Sequence, residues 1–235
     1  VLNRDQNDLQ LLSANPETGK NRLVYQEKNK TWVEFFEDIY ILKNNKGFIL
    51  RSELDGWRHL YYYDMNGKLK KQLTKGEWNV SDIKLVDEEN ERVFFEANKG
   101  DRLNTQLFVV DFDGDDIEQL TNIPGTHKGT VSPTGKYFYD SYSNINTPEK
   151  LDLYNDSGEL IKNLGDRKSK IFDEYNLGTT EIFSIKTEDG FDLPAMWVLP
   201  PDFDENKKYP VLFAVYGGPG GTDVTNSFSA YLDRC

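Results

Sequence analysis

Hydrophobic and polar positions alternate along most of this chain in short bursts, separated by polar tips rich in Asp, Asn and Gly. A period of two is the signature of a β-strand with one covered face. Residues 106–112 and 117–121 form one pair of runs around a tip carrying Gly114, which reads as a hairpin. Residues 47–52 with 57–63, and 80–86 with 92–97, form further pairs around Leu-Asp-Gly and Asp-Glu-Glu-Asn tips. The pairs also recur. Gly67 lies in Tyr-Asp-Met-Asn-Gly-Lys-Leu-Lys-Lys-Gln-Leu-Thr and Gly114, 47 residues on, in Val-Asp-Phe-Asp-Gly-Asp-Asp-Ile-Glu-Gln-Leu-Thr. Gly158, in Asn-Asp-Ser-Gly-Glu-Leu, follows after 44 residues, and Gly19, in Asn-Pro-Glu-Thr-Gly-Lys, precedes Gly67 by 48.

A period of roughly 40 to 50 residues holding about four strands is that of a β-propeller blade. The glycine-tipped hairpins are then the two outer strands of each unit. Ser132-Pro133-Thr134-Gly135-Lys136-Tyr137 supplies a turn suited to the inner strands. An ordinary β-sandwich of meandering hairpins is the competing reading, and the repeated Gln-Leu-Thr segments favour the propeller. The repeat stops after Leu164-Gly165-Asp166, and residues 167–178 are a polar stretch with room for one helical turn. Three further strands are predicted at 181–187, 193–199 and 210–215. Glu188-Asp189-Gly190 turns between the first two, and Pro200-Pro201 stops the second. The run from Pro210 to Val215 is continuously apolar, as in a strand covered on both faces of an α/β sheet. The predicted fold is thus mostly β: the C-terminal blades of a partial β-propeller with four-stranded blades over 1–172, then the first strands of an α/β-hydrolase domain over 173–235.

Charge and composition narrow the partners. Forty acidic and 28 basic residues give a net charge of −12, and the basic ones are scattered, which argues against nucleic acid. No apolar run approaches the ~18 residues of a membrane span. The single Cys235 excludes an internal disulfide, and His59 and His127 are far apart, so no cysteine/histidine metal site and no cofactor is expected. Both histidines are read as surface or turn residues. The chain opens at Val1 without an initiator methionine or a signal-peptide pattern, so the true amino terminus is expected upstream or removed.

The candidate chemistry sits in Val215-Tyr216-Gly217-Gly218-Pro219, a turn at the carboxyl end of the last predicted strand, where ligands of α/β sheets gather. Tyr216 is placed to face a reacting carbonyl. Gly217 and Gly218 allow backbone conformations and a close substrate approach that side chains would block. No Gly-X-Ser-X-Gly elbow occurs around any of the eleven serines.

Leu199-Pro200-Pro201-Asp202-Phe203-Asp204, Lys207-Lys208-Tyr209-Pro210 and Val215-Tyr216-Gly217-Gly218-Pro219 together resemble the dipeptidyl peptidase IV branch of the prolyl oligopeptidase family. Trp32-Val33-Glu34-Phe35-Phe36 and the stretch from Trp57 to Trp78 resemble that branch's propeller. The resemblance implies a fragment of a serine-type exopeptidase releasing amino-terminal dipeptides, Xaa-Pro or Xaa-Ala, from peptides. It implies Tyr216 as a hydroxyl donor to the tetrahedral oxyanion. Phe36 is implied as an aromatic reaching the substrate cleft, although Glu37 stands where well-known members carry arginine, and Phe36 serves equally well as a core strand residue. The Ser, Asp and His of the triad are not identifiable here, so this chain by itself is expected to be inactive. Glu88-Glu89 is read as a solvated hairpin tip and not as the family's paired glutamates. The resemblance also implies a peptide substrate, a parent that can form a homodimer, and export to the periplasm or cell envelope. A noncatalytic binding propeller, or another hydrolase of the family such as an oligopeptidase or acylaminoacyl peptidase, stays open beside it.

Overall fold

The computed structural model describes residues 1–34, 39–176, 178–215, 217–218 and 224–228. Strands β1 (Asp8–Ala14) and β2 (Asn21–Lys28) form a two-stranded sheet. Three four-stranded antiparallel sheets follow, each with its strands side by side in chain order. The first holds β3 (Tyr40–Ile41), β4 (Phe48–Ser52), β5 (His59–Tyr63) and β6 (Leu69–Gln72). The second holds β7 (Val80–Asp87), β8 (Arg92–Ala97), β9 (Gln106–Asp111) and β10 (Ile117–Gln119). The third holds β11 (Thr126–Val131), β12 (Tyr137–Asn144), β13 (Thr147–Asn155) and β14 (Leu160–Asp166). A short 3-10 turn at Lys170–Asp173 precedes a hairpin of β15 (Thr179–Lys186) and β16 (Asp192–Leu199). These are the blades expected from the repeat, with the repeated glycines on the β1–β2, β5–β6, β9–β10 and β13–β14 hairpins.

The sheets stack face to face through three apolar layers. Val24 and Tyr25 meet Phe48, Leu50, Tyr61 and Tyr63. Ile49, Leu60 and Leu73 meet Val86, Val93, Phe95, Phe108 and Val110. Phe94, Leu107, Val109 and Leu120 meet Phe138 and Tyr154. Successive residues of β8 and β9 therefore belong to opposite layers, which is why these strands read as unbroken apolar runs: period two is preserved, but both faces are buried. In β12 only alternate positions are buried, while Tyr137 and Tyr139 are 51 % and 44 % exposed, so this sheet covers one face.

Each repeated glycine has a physical reason. Gly67, Gly114 and Gly158 have φ of 83°, 71° and 77°, in the left-handed region that a side chain disfavours. Their N–H groups close the tips onto Asp64, Asp111 and Asn155, and the side chains of those residues accept further tip N–H groups. Each tip also lands on the outer strand of the preceding blade. A Cβ on Gly67 would lie 1.6 Å from the Val24 carbonyl oxygen, on Gly114 3.1 Å from backbone atoms of Leu73, and on Gly158 2.6 Å from the Leu120 oxygen. Gly19 has the same conformation with nothing within 4 Å.

Expectation and structure part at the histidines. His59 and His127 are 0 % and 2 % exposed, buried in their sheets and not on the surface. Short polar relays make this possible, because a buried imidazole is tolerated when both nitrogens are hydrogen-bonded. Leu60 N–H donates to Thr74 Oγ1, Thr74 Oγ1 bonds His59 Nδ1 at 3.0 Å, and His59 Nε2 donates to the Gly76 carbonyl at 2.9 Å. Every position has a counterpart 47 residues later: Leu107 N–H donates to Thr121 Oγ1, which donates to Gln106 Oε1, and Gln106 Nε2 donates to the Ile123 carbonyl. Thr74 and Thr121 are the threonines of the Gln-Leu-Thr repeats. His127 bonds Asp140 Oδ2 through Nδ1 at 2.6 Å and donates from Nε2 to the same Ile123 carbonyl at 2.8 Å.

The run from Pro210 to Val215 also departs from expectation. It pairs with no strand among the described residues, and Val211, Leu212, Phe213 and Val215 are 71 to 92 % exposed. A doubly covered strand needs a neighbour on each edge and a layer on each face, and the described residues supply neither. The Glu88-Glu89 tip turns between β7 and β8 as expected, yet Glu88 accepts hydrogen bonds from Tyr40 Oη and the Lys43 N–H of the preceding blade.

Two outcomes test this packing. Gly67→Ala and Gly19→Ala share a left-handed backbone penalty of about 1–2 kcal/mol, but only Gly67→Ala drives a methyl into a neighbouring blade, adding about 1–3 kcal/mol. Denaturant unfolding of the two variants measures the difference, and equal losses would show that the tips do not dock. The second concerns Asp87. Burial pushes its carboxyl up, but hydrogen bonds from Asn90 and the Arg92 guanidinium outweigh burial and hold it below the ordinary 3.8. Its stabilising effect is present above that value and lost as pH falls through the lowered folded pKa. Asp87→Asn should therefore flatten the acid limb of a stability–pH profile, whereas an unchanged limb would remove Asp87 as its source.

Candidate functional site

The blades present two faces. One carries the turns between second and third strands and the crossovers between blades; the other carries the glycine tips. On the first face, three connections converge: the β8–β9 loop at 98–105, the crossover at 120–125 and the β12–β13 turn at 144–147. The buried relays fix the crossover. The Ile123 carbonyl takes hydrogen bonds from Gln106 and His127, and the next carbonyl, that of Pro124, accepts from Tyr142 Oη at 3.3 Å. Burial pushes the Tyr142 hydroxyl up, so it stays a protonated donor at neutral pH. Thr105 and Thr126 pair as a parallel bridge across the two blades.

These connections border an open cleft of about 350 Å³ whose lining includes Asp101, Asn104, Pro124 and Asn144, together with Ile182 and Asn226 from outside the blades. Its wall is amide-rich and ordered from within. Asp101 accepts from Asn104 Nδ2 at 2.6 Å, which turns Asn104 Oδ1 outward as an acceptor. Asn144 Oδ1 accepts the Asn146 N–H at 2.9 Å. The wall can therefore hold polar chain through directional hydrogen bonds, and no group of three or more potential metal ligands occurs among the described residues.

Two segments from beyond the blades reach this face. The β15–β16 hairpin brings Ile182 to the cleft, and the ring centroid of its tip residue Phe191 lies 5.7 Å from the guanidinium carbon of Arg102, which also stands 5.6 Å from the Trp57 ring centroid. The segment 224–228 brings Asn226. Its Nδ2 donates to Asn104 Oδ1 at 2.8 Å, its Oδ1 accepts the Ile145 N–H at 3.2 Å, its N–H donates to the Leu103 carbonyl at 3.3 Å and its carbonyl accepts from Thr126 Oγ1 at 3.0 Å.

Of the residues singled out by sequence, Gly217 has φ 66° and is exposed, as is Gly218. Tyr216 and Phe36 lie outside the described residues. Sequence reasoning missed Asn226, Asn104 and Arg102. Asn226 sits in a plain Val-Thr-Asn-Ser run, and its partners are 81 to 123 residues away, a proximity that no local pattern encodes.

Residues 1–149 match the family model described as the dipeptidyl peptidase IV (DPP IV) N-terminal region. Curated relatives include dipeptidyl peptidase 4 of Trichophyton rubrum, 30 % identical over 98 % of this chain and 31 % of that protein. Dipeptidyl peptidase 4 of Arthroderma otae is 32 % identical over 90 % of this chain and 28 % of that protein. Among solved structures, Porphyromonas gingivalis dipeptidyl peptidase 4 superposes with a TM-score of 0.89 at 28 % identity, covering 97 % of this chain and 33 % of that one. The chain thus spans about a third of the length of the proteins it resembles.

The Arg102 contacts give a testable outcome. A cation over exposed aromatic rings contributes about 0.5–1 kcal/mol per contact. Arg102→Ala should speed hydrogen exchange at the 187–191 tip several-fold and leave β8 and β9 amides unchanged. Unaltered exchange at the tip would show that the hairpin is held elsewhere.

Proposed function

The chain belongs to the dipeptidyl peptidase IV family, and from that premise we propose that it is part of a serine-type exopeptidase removing Xaa-Pro or Xaa-Ala dipeptides from the amino termini of peptides. Residues 1–172 are the last blades of its propeller, and 173–235 open its α/β-hydrolase domain. The observation that carries the reading is the continuous likeness to dipeptidyl peptidase 4 proteins over 98 % of this chain, from the first blade through the Tyr-Gly-Gly-Pro turn. A single blade-like stretch would suit many binding propellers. A propeller joined to this turn, with segments on both sides of the turn reaching one blade face, suits a peptidase whose substrate lies between the two parts.

In this reading the nucleophile, base and orienting acid come from outside these residues, and Tyr216 supplies part of the oxyanion hole. A phenol is a fixed donor that stays protonated at neutral pH and can meet charge that develops only as the carbonyl is attacked. Gly217, already in the left-handed conformation, lets the backbone fold away from the incoming peptide. Phe36 contributes an apolar surface for the peptide at the propeller side of the cleft.

Tyr216→Phe in the full-length enzyme isolates the hydroxyl. Because such a donor acts in the transition state, kcat should fall roughly a hundredfold or more, while a dipeptide product binds nearly as before. Full kcat in that variant, assayed on an Xaa-Pro chromogenic substrate, would refute the role. Absence of any dipeptide release by the wild-type enzyme would refute the activity itself.

A further inference from the structure

We propose that His127 and Asp140 form a buried proton-holding pair that fixes the crossover at 120–125. The cleft wall at Pro124 is firm while the pair keeps its proton and loosens when the proton leaves at higher pH.

The hydrogens must be counted to satisfy both ring nitrogens. His127 is 2 % exposed and Asp140 0 %. Nδ1 of the ring meets Asp140 Oδ2 at 2.6 Å, and Nε2 meets the Ile123 carbonyl at 2.8 Å. A carboxylate and a carbonyl are both acceptors, yet a neutral imidazole has a single N–H. One further proton is required: on Nδ1, giving imidazolium against carboxylate, or on Oδ2, giving a carboxylic acid that donates to the ring. In either form the pair has no net charge, and the proton lies within the 2.6 Å bond. His59 makes no such demand. Its Nδ1 partner, Thr74 Oγ1, brings its own O–H, so a neutral ring serves both of its contacts.

Asp140 Oδ1 has no hydrogen-bond partner among the described residues, so the ring is what meets this carboxyl group. The titratable groups of the packed elements are engaged elsewhere. On β7 and β8, Lys84 pairs with Asp82 and Glu96, and Glu96 accepts the Gly129 N–H. On β13, Asp152 accepts from Asn163 and Tyr154 stacks on Phe138, while Lys128 of β11 is exposed. Once the proton is gone, two lone pairs face each other at one ring nitrogen or the other, which burial makes costly. The ring or the Ile123 carbonyl must then shift. The ring centroid lies 4.6 Å from that of Tyr142 on β12, whose hydroxyl donates to the Pro124 carbonyl at 3.3 Å. A displaced His127 therefore disturbs the two successive carbonyls that shape the crossover.

The test is hydrogen exchange in the full-length protein. Protection of a peptide covering 120–126 is read relative to a peptide of β8 in the same sample, which cancels the ordinary pH dependence of exchange. Between about pH 6 and about pH 9 the relative protection of the wild type should fall several-fold. Asp140→Asn supplies the missing hydrogen as a fixed amide N–H: its Nδ2 donates to His127 Nδ1 while Nε2–H keeps the Ile123 carbonyl. Relative protection in that variant should stay level across the range. A level wild-type profile would overturn the proposal. An equal fall in Asp140→Asn would overturn it as well, because the titrating group would then lie elsewhere. If Asp140→Asn does not fold, its combination with His127→Gln, whose two amides repeat the neutral arrangement at Gln106, is read in its place with the same two outcomes.

Discussion

A sheet whose successive residues point apolar side chains to opposite faces must be covered twice, and β8 and β9 impose that requirement on this chain. Val93 and Phe95 belong to one layer and Phe94 to the next; Phe108 and Val110 belong to one and Leu107 and Val109 to the other. Full burial of such a side chain contributes about 1.5–3 kcal/mol, so a blade deprived of a neighbour forfeits a large part of what holds it. The glycine tips, the apolar layers and the near-constant period all serve the same end, which is to bring the next sheet to the right distance and angle.

The polar groups inside these layers link stability to the functional face. In two blades a threonine just past the outer strand, Thr74 or Thr121, receives a backbone N–H and passes the hydrogen-bond chain through His59 or Gln106 to a crossover carbonyl. Histidine and glutamine are interchangeable here because each offers an acceptor and a donor a similar distance apart on a flat group. The crossover thus held forms one wall of the cleft, and the Asn226 segment and the β15–β16 hairpin settle on that same face. The blade interior therefore determines the shape of a surface several residues away from it.

Much of this was legible in the sequence because it depends on short-range pattern. Left-handed tips demand glycine, strands alternate, and a repeat of 44 to 48 residues exposes the blade unit. The histidines misled because their polarity suggests the surface, while the bonds that satisfy them reach partners 15 and 17 positions away for His59 and 13 and 4 positions away for His127. The 210–215 run reads as a buried strand from its side chains alone, yet a strand exists only through partners. Asn226 was invisible for a related reason: its partners lie in two loops and at the start of β11, far from it in sequence.

The docking of each glycine tip on the preceding blade has a further consequence. The stretch of sequence that repeats and the body that coheres are out of phase, since the outer edge of one blade is completed by a hairpin encoded some 40 residues later, as Val24 is by Gly67. A chimaera cut at blade boundaries would separate these halves and leave each graft with a foreign tip against its backbone. Exchange between relatives is better tolerated when the transplanted piece carries the following tip with it, so the natural cassette of this fold is one blade plus the hairpin that closes over it.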